Sequence, residues 1–149
     1  MFIWRVSNYS TLDGAGGLFA DGRWHNRGRP VVYCAENPAT ALLETLVHLE
    51  VDEEDLPAHY VALKVQIPDA LPVEVVKSVD LPENWQRLPW ITRAIGDRWL
   101  QAGTCPLLSA PSALVPQTRN FLINPLHPDS TRIEIVERIA HPLDRRFAL

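Results

Sequence analysis

Cysteine is scarce in this chain, and positive charge is in deficit. Cys34 and Cys105 are the only two cysteines, far apart and in no metal or redox spacing. A disulfide framework is therefore not expected, and two buried or half-buried thiols in a reducing cytoplasm are. The formal net charge is -4. Nucleic-acid-binding domains usually carry a basic excess, so no direct nucleic-acid surface is expected. The local cluster of Arg23, Arg27 and Arg29 is the exception. No apolar run approaches the roughly 20 residues of a membrane span. Met1 leads straight into FIWRVS, without the charged and apolar regions of a secretory leader. A cytoplasmic protein with no membrane partner is the expectation.

The familiar catalytic signatures are missing too. Glu44 and His48 stand one helical turn apart, but HExxH is absent and no second His pair has ligand spacing. No metal is expected. Ser112 lies in APSAL rather than in a GxSxG elbow. Cys34 sits in an apolar run and Cys105 precedes a proline, so neither has the exposed, His-paired setting of a nucleophile. The acidic residues gather in solvated runs, which gives no pair of carboxylates for glycoside hydrolysis.

What is present suits one soluble domain. At 149 residues with 46% hydrophobic side chains, the chain can bury about 70% of its unfolded surface. The whole chain, 1–149, reads as a single domain. Its thirteen prolines run from Pro30 to Pro142 and mark short turns. Phe2–Val6, Pro30–Ala35, Tyr60–Ile67, Val73–Val76, Cys105–Leu108, Asn120–Ile123 and Ile133–Ile139 have strand character. Asn37-Pro38 predicts a helix start, with Asn as cap and Pro in the first turn, running to about Leu49. Leu42, Leu46 and Leu49 form its apolar stripe, and the acidic run Glu50–Asp55 ends it. A second helix is predicted from Pro89-Trp90 to Ala102, closed by Gly103. Trp85, Trp90 and Trp99 read as packing residues. The elements do not alternate as βαβ units. The fold class expected is α+β, a mixed, mainly antiparallel sheet with surrounding helices.

Between Gly22 and Leu49 the sequence passes from arginines, through an apolar strand holding Tyr33, into a helix holding Glu44. No Lys or Arg stands in helical reach of Glu44. Arg23, Tyr33 and Glu44 suit a nucleotide whose bond breaks through a cationic transition state. Arg grips phosphate, an aromatic face holds a ring, and a carboxylate steadies an oxocarbenium-like centre. Spacing alone favours a surface role for Glu44, and the solvent face of its strand for Arg5.

The landmarks WRVS at Trp4–Ser7, GGLFADGRWH at Gly16–His25, PVVYCAENPATALLETLVH at Pro30–His48, PSALVP at Pro111–Pro116 and NFLINPLHPD at Asn120–Asp129 together resemble the RES-domain family of bacterial RES–Xre toxin–antitoxin pairs. The resemblance covers nearly the whole chain. It implies a fold similar to ADP-ribosyltransferase toxins and NAD as substrate. Hydrolysis, phosphorolysis or transfer of ADP-ribose to a protein are the reactions it allows. Its Arg, Glu and Ser fall on Arg23, Glu44 and Ser112, and its pocket residues on Arg5, Tyr33 and Asn124. The implied partner is an Xre-type helix-turn-helix antitoxin that carries the DNA-binding surface this chain lacks. Homo-oligomerisation is left open, as is a non-catalytic nucleotide- or protein-binding module.

Overall fold

In the computed structural model, residues 1–49 and 55–148 are described. The acidic run expected from Glu50 to Asp55 therefore lies, except for Asp55, outside the described residues. The strands are β1 (Phe2–Val6), β2 (Val32–Ala35), β3 (His59–Gln66), β4 (Val73–Val75), β5 (Leu107–Pro111), β6 (Arg119–Ile123) and β7 (Glu134–Pro142). The α-helices are α1 (Pro38–Leu49) and α2 (Pro89–Ala102). The strands form one sheet in the order β4-β5-β6-β2-β1-β3-β7. Only β4–β5 is parallel; every other neighbour pair is antiparallel. The expected mixed, mainly antiparallel α+β architecture is what forms.

Alternation along the strands gives the sheet two buried faces. Ile3, Val32, Cys34, Val65, Leu107 and Ile123 make one core. Leu108, Ala110 and Leu122 face the other way and meet Trp24, Trp85, Trp99 and Leu100, with Tyr33 at the margin. Each fully buried aliphatic side chain contributes about 1.5–3 kcal/mol. Val61, Leu63 and Val65 of β3, and Ile67 just beyond its end, are all buried, as their alternation predicts.

Helix α2 buries Thr92, Gly96, Trp99 and Leu100, the spacing of one helical face. Pro89 occupies its first turn, and Gly103, at φ 60, closes it with its N–H on the Trp99 carbonyl. Gly96 lets the helix lie directly against the Trp24 backbone: a Cβ there would collide with the Trp24 carbonyl oxygen. Of the expected packing tryptophans, Trp85 and Trp99 are buried, but Trp90 is 64% exposed. It sits in the first turn of α2, off the face that meets the sheet.

In α1, the Asn37 side chain accepts the Thr40 N–H at 2.8 Å, the cap the sequence predicts. The leucine stripe is not seated in a core. Only Thr40 and Ala41 are buried; Leu42 and Leu46 of the stripe are half-buried, and Leu49, with Leu43 and Val47, is exposed. The helix approaches β1 and β2 through its small residues, and a cleft takes the place of packing beyond them. β5 begins later than the sequence suggests, at Leu107, and runs through Ser109 to Pro111. A proline is tolerated at the last position because its missing N–H interrupts no further rung.

Candidate active site

Strands β1 and β2 share a single registered pair, Trp4↔Ala35. By contrast β1 pairs β3 at five positions and β2 pairs β6 at four. A cleft of about 470 Å³ opens at this seam, bounded by β1, β2, α1 and the glycine-rich segment around Gly16–Gly22. Its size is that of a small-molecule site. Trp4, Ala35 and Asn120 are register partners across β1, β2 and β6, and all three line it.

Arg5, Arg23, Tyr33 and Glu44 share this cleft wall. Arg5 is half-buried rather than on an open face. Its Nη1 donates to the Tyr33 carbonyl at 3.3 Å, and its buried Nε has no partner among the described residues. Arg23 donates from Nη1 to the Gln86 carbonyl at 2.8 Å, which leaves its other guanidinium donors for a ligand.

Glu44 is held on one oxygen. Ser112 Oγ donates to Oε1 at 2.6 Å, and Asn120 Nδ2 donates to the same atom at 3.1 Å. No described residue bonds Oε2. Ser112 is fully buried, and its Oγ also accepts the N–H groups of Leu114 and Val115 at 3.1 and 3.2 Å. One donor and two acceptor sites exhaust a hydroxyl, so Ser112 has nothing left for nucleophilic attack. It is an orienting group for the carboxylate. Asn120 is fixed in the same sense: flipping its amide would turn an oxygen toward Glu44. Its own Oδ1 is buried without a partner among the described residues, a cost of about 1–3 kcal/mol.

Tyr33 and His25 lock the arginine segment. Tyr33 Oη accepts the Trp24 N–H at 3.1 Å and lies 2.7 Å from His25 Nδ1. Burial pushes the Tyr33 hydroxyl well above its ordinary range, so it stays neutral. Gly22 has no room for a Cβ, which would meet Tyr33 Oη and His25 Nδ1.

Asn124 is placed elsewhere. Its side chain accepts the Leu126 N–H at 3.1 Å in a turn, and its carbonyl accepts Ser130 Oγ at 2.6 Å. It does not line the cleft. Asn120, four residues earlier, is the asparagine that meets Glu44. The sequence signal lay in the same NFLIN stretch, but only strand pairing tells the two apart. His25 was visible in the dense GRWHN segment without an assignable partner. Among the described residues there is no cluster of three or more His, Cys, Asp or Glu that could hold a metal. No helix among them is long and apolar enough to cross a membrane.

Comparison with known proteins agrees with this architecture. The chain is 43% identical to "Toxin Res" of Pseudomonas putida, covering 99% of this chain and all of that one. It is 37% identical to "Prs ADP-ribosylating toxin" of a Sphingobium species, over 89% of this chain and 87% of that one. Among solved structures, the Mycobacterium tuberculosis MbcT–MbcA toxin–antitoxin complex contains a chain with the same fold. Its TM-score is 0.73 at 15% identity, covering 99% of this chain and 86% of that one. The RES domain family matches residues 2–146, and the chain belongs to that family.

Proposed function

We propose that this protein is the toxin of a toxin–antitoxin pair and that it consumes NAD by breaking the bond between nicotinamide and ribose. The observation that carries the reading is Glu44, held on one oxygen by Ser112 and Asn120 in a cleft that also presents Arg5 and Arg23. Names of relatives support it: two of them are called toxins, one of these ADP-ribosylating.

In this reading Arg5 and Arg23 grip the pyrophosphate, and the Tyr33 ring packs against nicotinamide or its ribose. As the C1′–N bond breaks, its electron pair passes to the ring nitrogen and neutral nicotinamide leaves. Positive charge grows at C1′ and O4′, where the Glu44 carboxylate stabilises it or grips the 2′-hydroxyl. Ser112 and Asn120 pre-pay the ordering of that carboxylate. Water or phosphate then attacks C1′ and loses its proton to solvent. The decisive experiment incubates pure protein with NAD, with and without phosphate, and follows nicotinamide by chromatography. Absence of release under both conditions would end the NAD reading.

Transfer of ADP-ribose to a protein is the second reading, favoured by the name of the Sphingobium relative. It predicts a labelled protein acceptor from labelled NAD. The partner proposed is an Xre-type antitoxin that covers the cleft, in line with the toxin–antitoxin complex that shares the fold. A cytoplasmic location follows from NAD as substrate.

A further inference from the structure

His25 is 2% exposed, and a buried imidazole must account for both nitrogens. Nε2 lies 3.2 Å from the Gly17 carbonyl, which can only accept, so Nε2 carries the hydrogen. In the neutral ring Nδ1 is then bare and accepts the Tyr33 hydroxyl hydrogen at 2.7 Å. The Tyr33 oxygen keeps a lone pair for the Trp24 N–H at 3.1 Å. The direction of every bond in this relay is thus determined: Trp24 N–H to Tyr33, Tyr33 O–H to His25, His25 N–H to Gly17.

The relay closes a segment that is anchored at each residue. Arg93 Nε donates to the Gly22 carbonyl at 2.8 Å, and Thr92 Oγ1 donates to the Arg23 carbonyl at 2.6 Å. The Gly22 N–H donates to the His25 carbonyl at 3.0 Å. The Asn26 N–H donates to Asp97 at 3.0 Å. Four of these anchors tie the Arg23 segment to α2 or back onto itself. Among the described residues the Tyr33 hydroxyl, through Trp24 and His25, is what ties it to β2, and His25 joins the Gly28 N–H on the Gly17 carbonyl and the Arg27 N–H on Asp21 in tying it to the glycine-rich wall.

We propose that His25 is a positioning residue: through Tyr33 and the Gly17 carbonyl it fixes the Arg23 segment against the cleft, and so sets where the phosphates of a dinucleotide bind. The activity readout rests on the NAD reading above. A second readout does not.

The variants are His25→Gln and Tyr33→Phe. Gln retains a donor for Gly17 but offers Tyr33 no acceptor at the Nδ1 position, and Phe keeps the ring and removes the hydroxyl. His25→Gln is expected to raise KM for NAD by about tenfold, the size of one lost buried hydrogen bond, with little change in kcat, and Tyr33→Phe, at a residue that itself meets the substrate, to raise KM at least as much. The double variant is expected to be no worse than the weaker single, because both break one relay. In His25→Gln, nicotinamide riboside, which has no phosphate for Arg23 to hold, should show no rise in KM. A merely structural His25 would instead lower turnover of both substrates alike, and additive losses or equal losses on both would overturn the proposal. Independently of NAD, amide hydrogen exchange at Trp24 is expected to accelerate in both variants while the β3 amides stay protected. Unchanged exchange at Trp24 overturns the relay even if activity falls. Should wild type neither bind nor cleave NAD, the proposed function fails, and exchange alone decides the role of His25.

Discussion

Replacing Ser112 by alanine removes three hydrogen bonds at one buried atom. The bond to Glu44 at 2.6 Å is worth about 1.5–3 kcal/mol, since its acceptor is a carboxylate. The N–H groups of Leu114 and Val115 lose their acceptor as well, at about 1 kcal/mol each if water does not enter. The sum, about 3–5 kcal/mol, is a large share of the 5–15 kcal/mol that holds a typical domain together. At about 2–4 °C per kcal/mol for this size, the melting temperature should fall by about 10 °C and leave a folded protein at 25 °C. Glu44 then keeps only Asn120, and its carboxylate is free to turn. Losing the pre-set orientation should slow nicotinamide release by about a hundredfold, or 2.7 kcal/mol in the barrier. The assay is kcat at 20 °C beside a thermal melt. Asn120→Ala acts on the same oxygen, so the double variant should fall short of the sum of the singles. If Ser112→Ala melts early yet turns over NAD within about twofold of wild type, Ser112 braces the loop and does not serve Glu44.

Further outcomes follow from the same geometry. Gly96→Ala drives a Cβ into the Trp24 carbonyl and should cost about 3 kcal/mol or more, seen as a melt lowered by about 8 °C or as insoluble protein. Asn120→Asp sets a second carboxylate beside Glu44; it should raise the pH at which activity appears, read from a pH–rate profile. Burial pushes the Cys34 thiol from 9.0 up to about 12. The folded state holds that proton more tightly than the unfolded one, so the associated stability is complete below about pH 9 and lost as pH climbs toward 12. Urea midpoints measured from pH 8 to 11 should therefore fall less steeply for Cys34→Ala than for wild type, and thiol reagents at pH 8 should label Cys105 well before Cys34.

The elements were legible where periodicity is strong. The alternation of β3 and the Asn37-Pro38 start of α1 both translate directly into what forms, because each depends on neighbours in sequence. The site was legible only by residue type. Glu44 stood out as a lone carboxylate, but its partners lie 68 and 76 positions away, a pairing no local pattern carries. The choice between Asn120 and Asn124 turns on the register Ala35↔Asn120, which exists only once β2 and β6 are paired. The leucines of α1 misled for a related reason: an apolar stripe predicts burial, but the helix turns Ala41 and Thr45 toward the sheet and leaves Leu42 and Leu46 only half-buried and Leu49 exposed. Trp90 shows that a helix's first turn can leave a large ring in water when the buried face is already filled by Thr92, Gly96, Trp99 and Leu100.

The most direct test is Glu44→Gln. The amide oxygen can still accept from Ser112 and Asn120, so the fold and the cleft are preserved while the charge is removed. The measurement is the rate of nicotinamide release from NAD, wild type against Glu44→Gln, with melting temperatures as control. The account predicts release by wild type and a loss of about 10²–10³-fold in the variant at an unchanged melting temperature. Equal rates for the two proteins would contradict it.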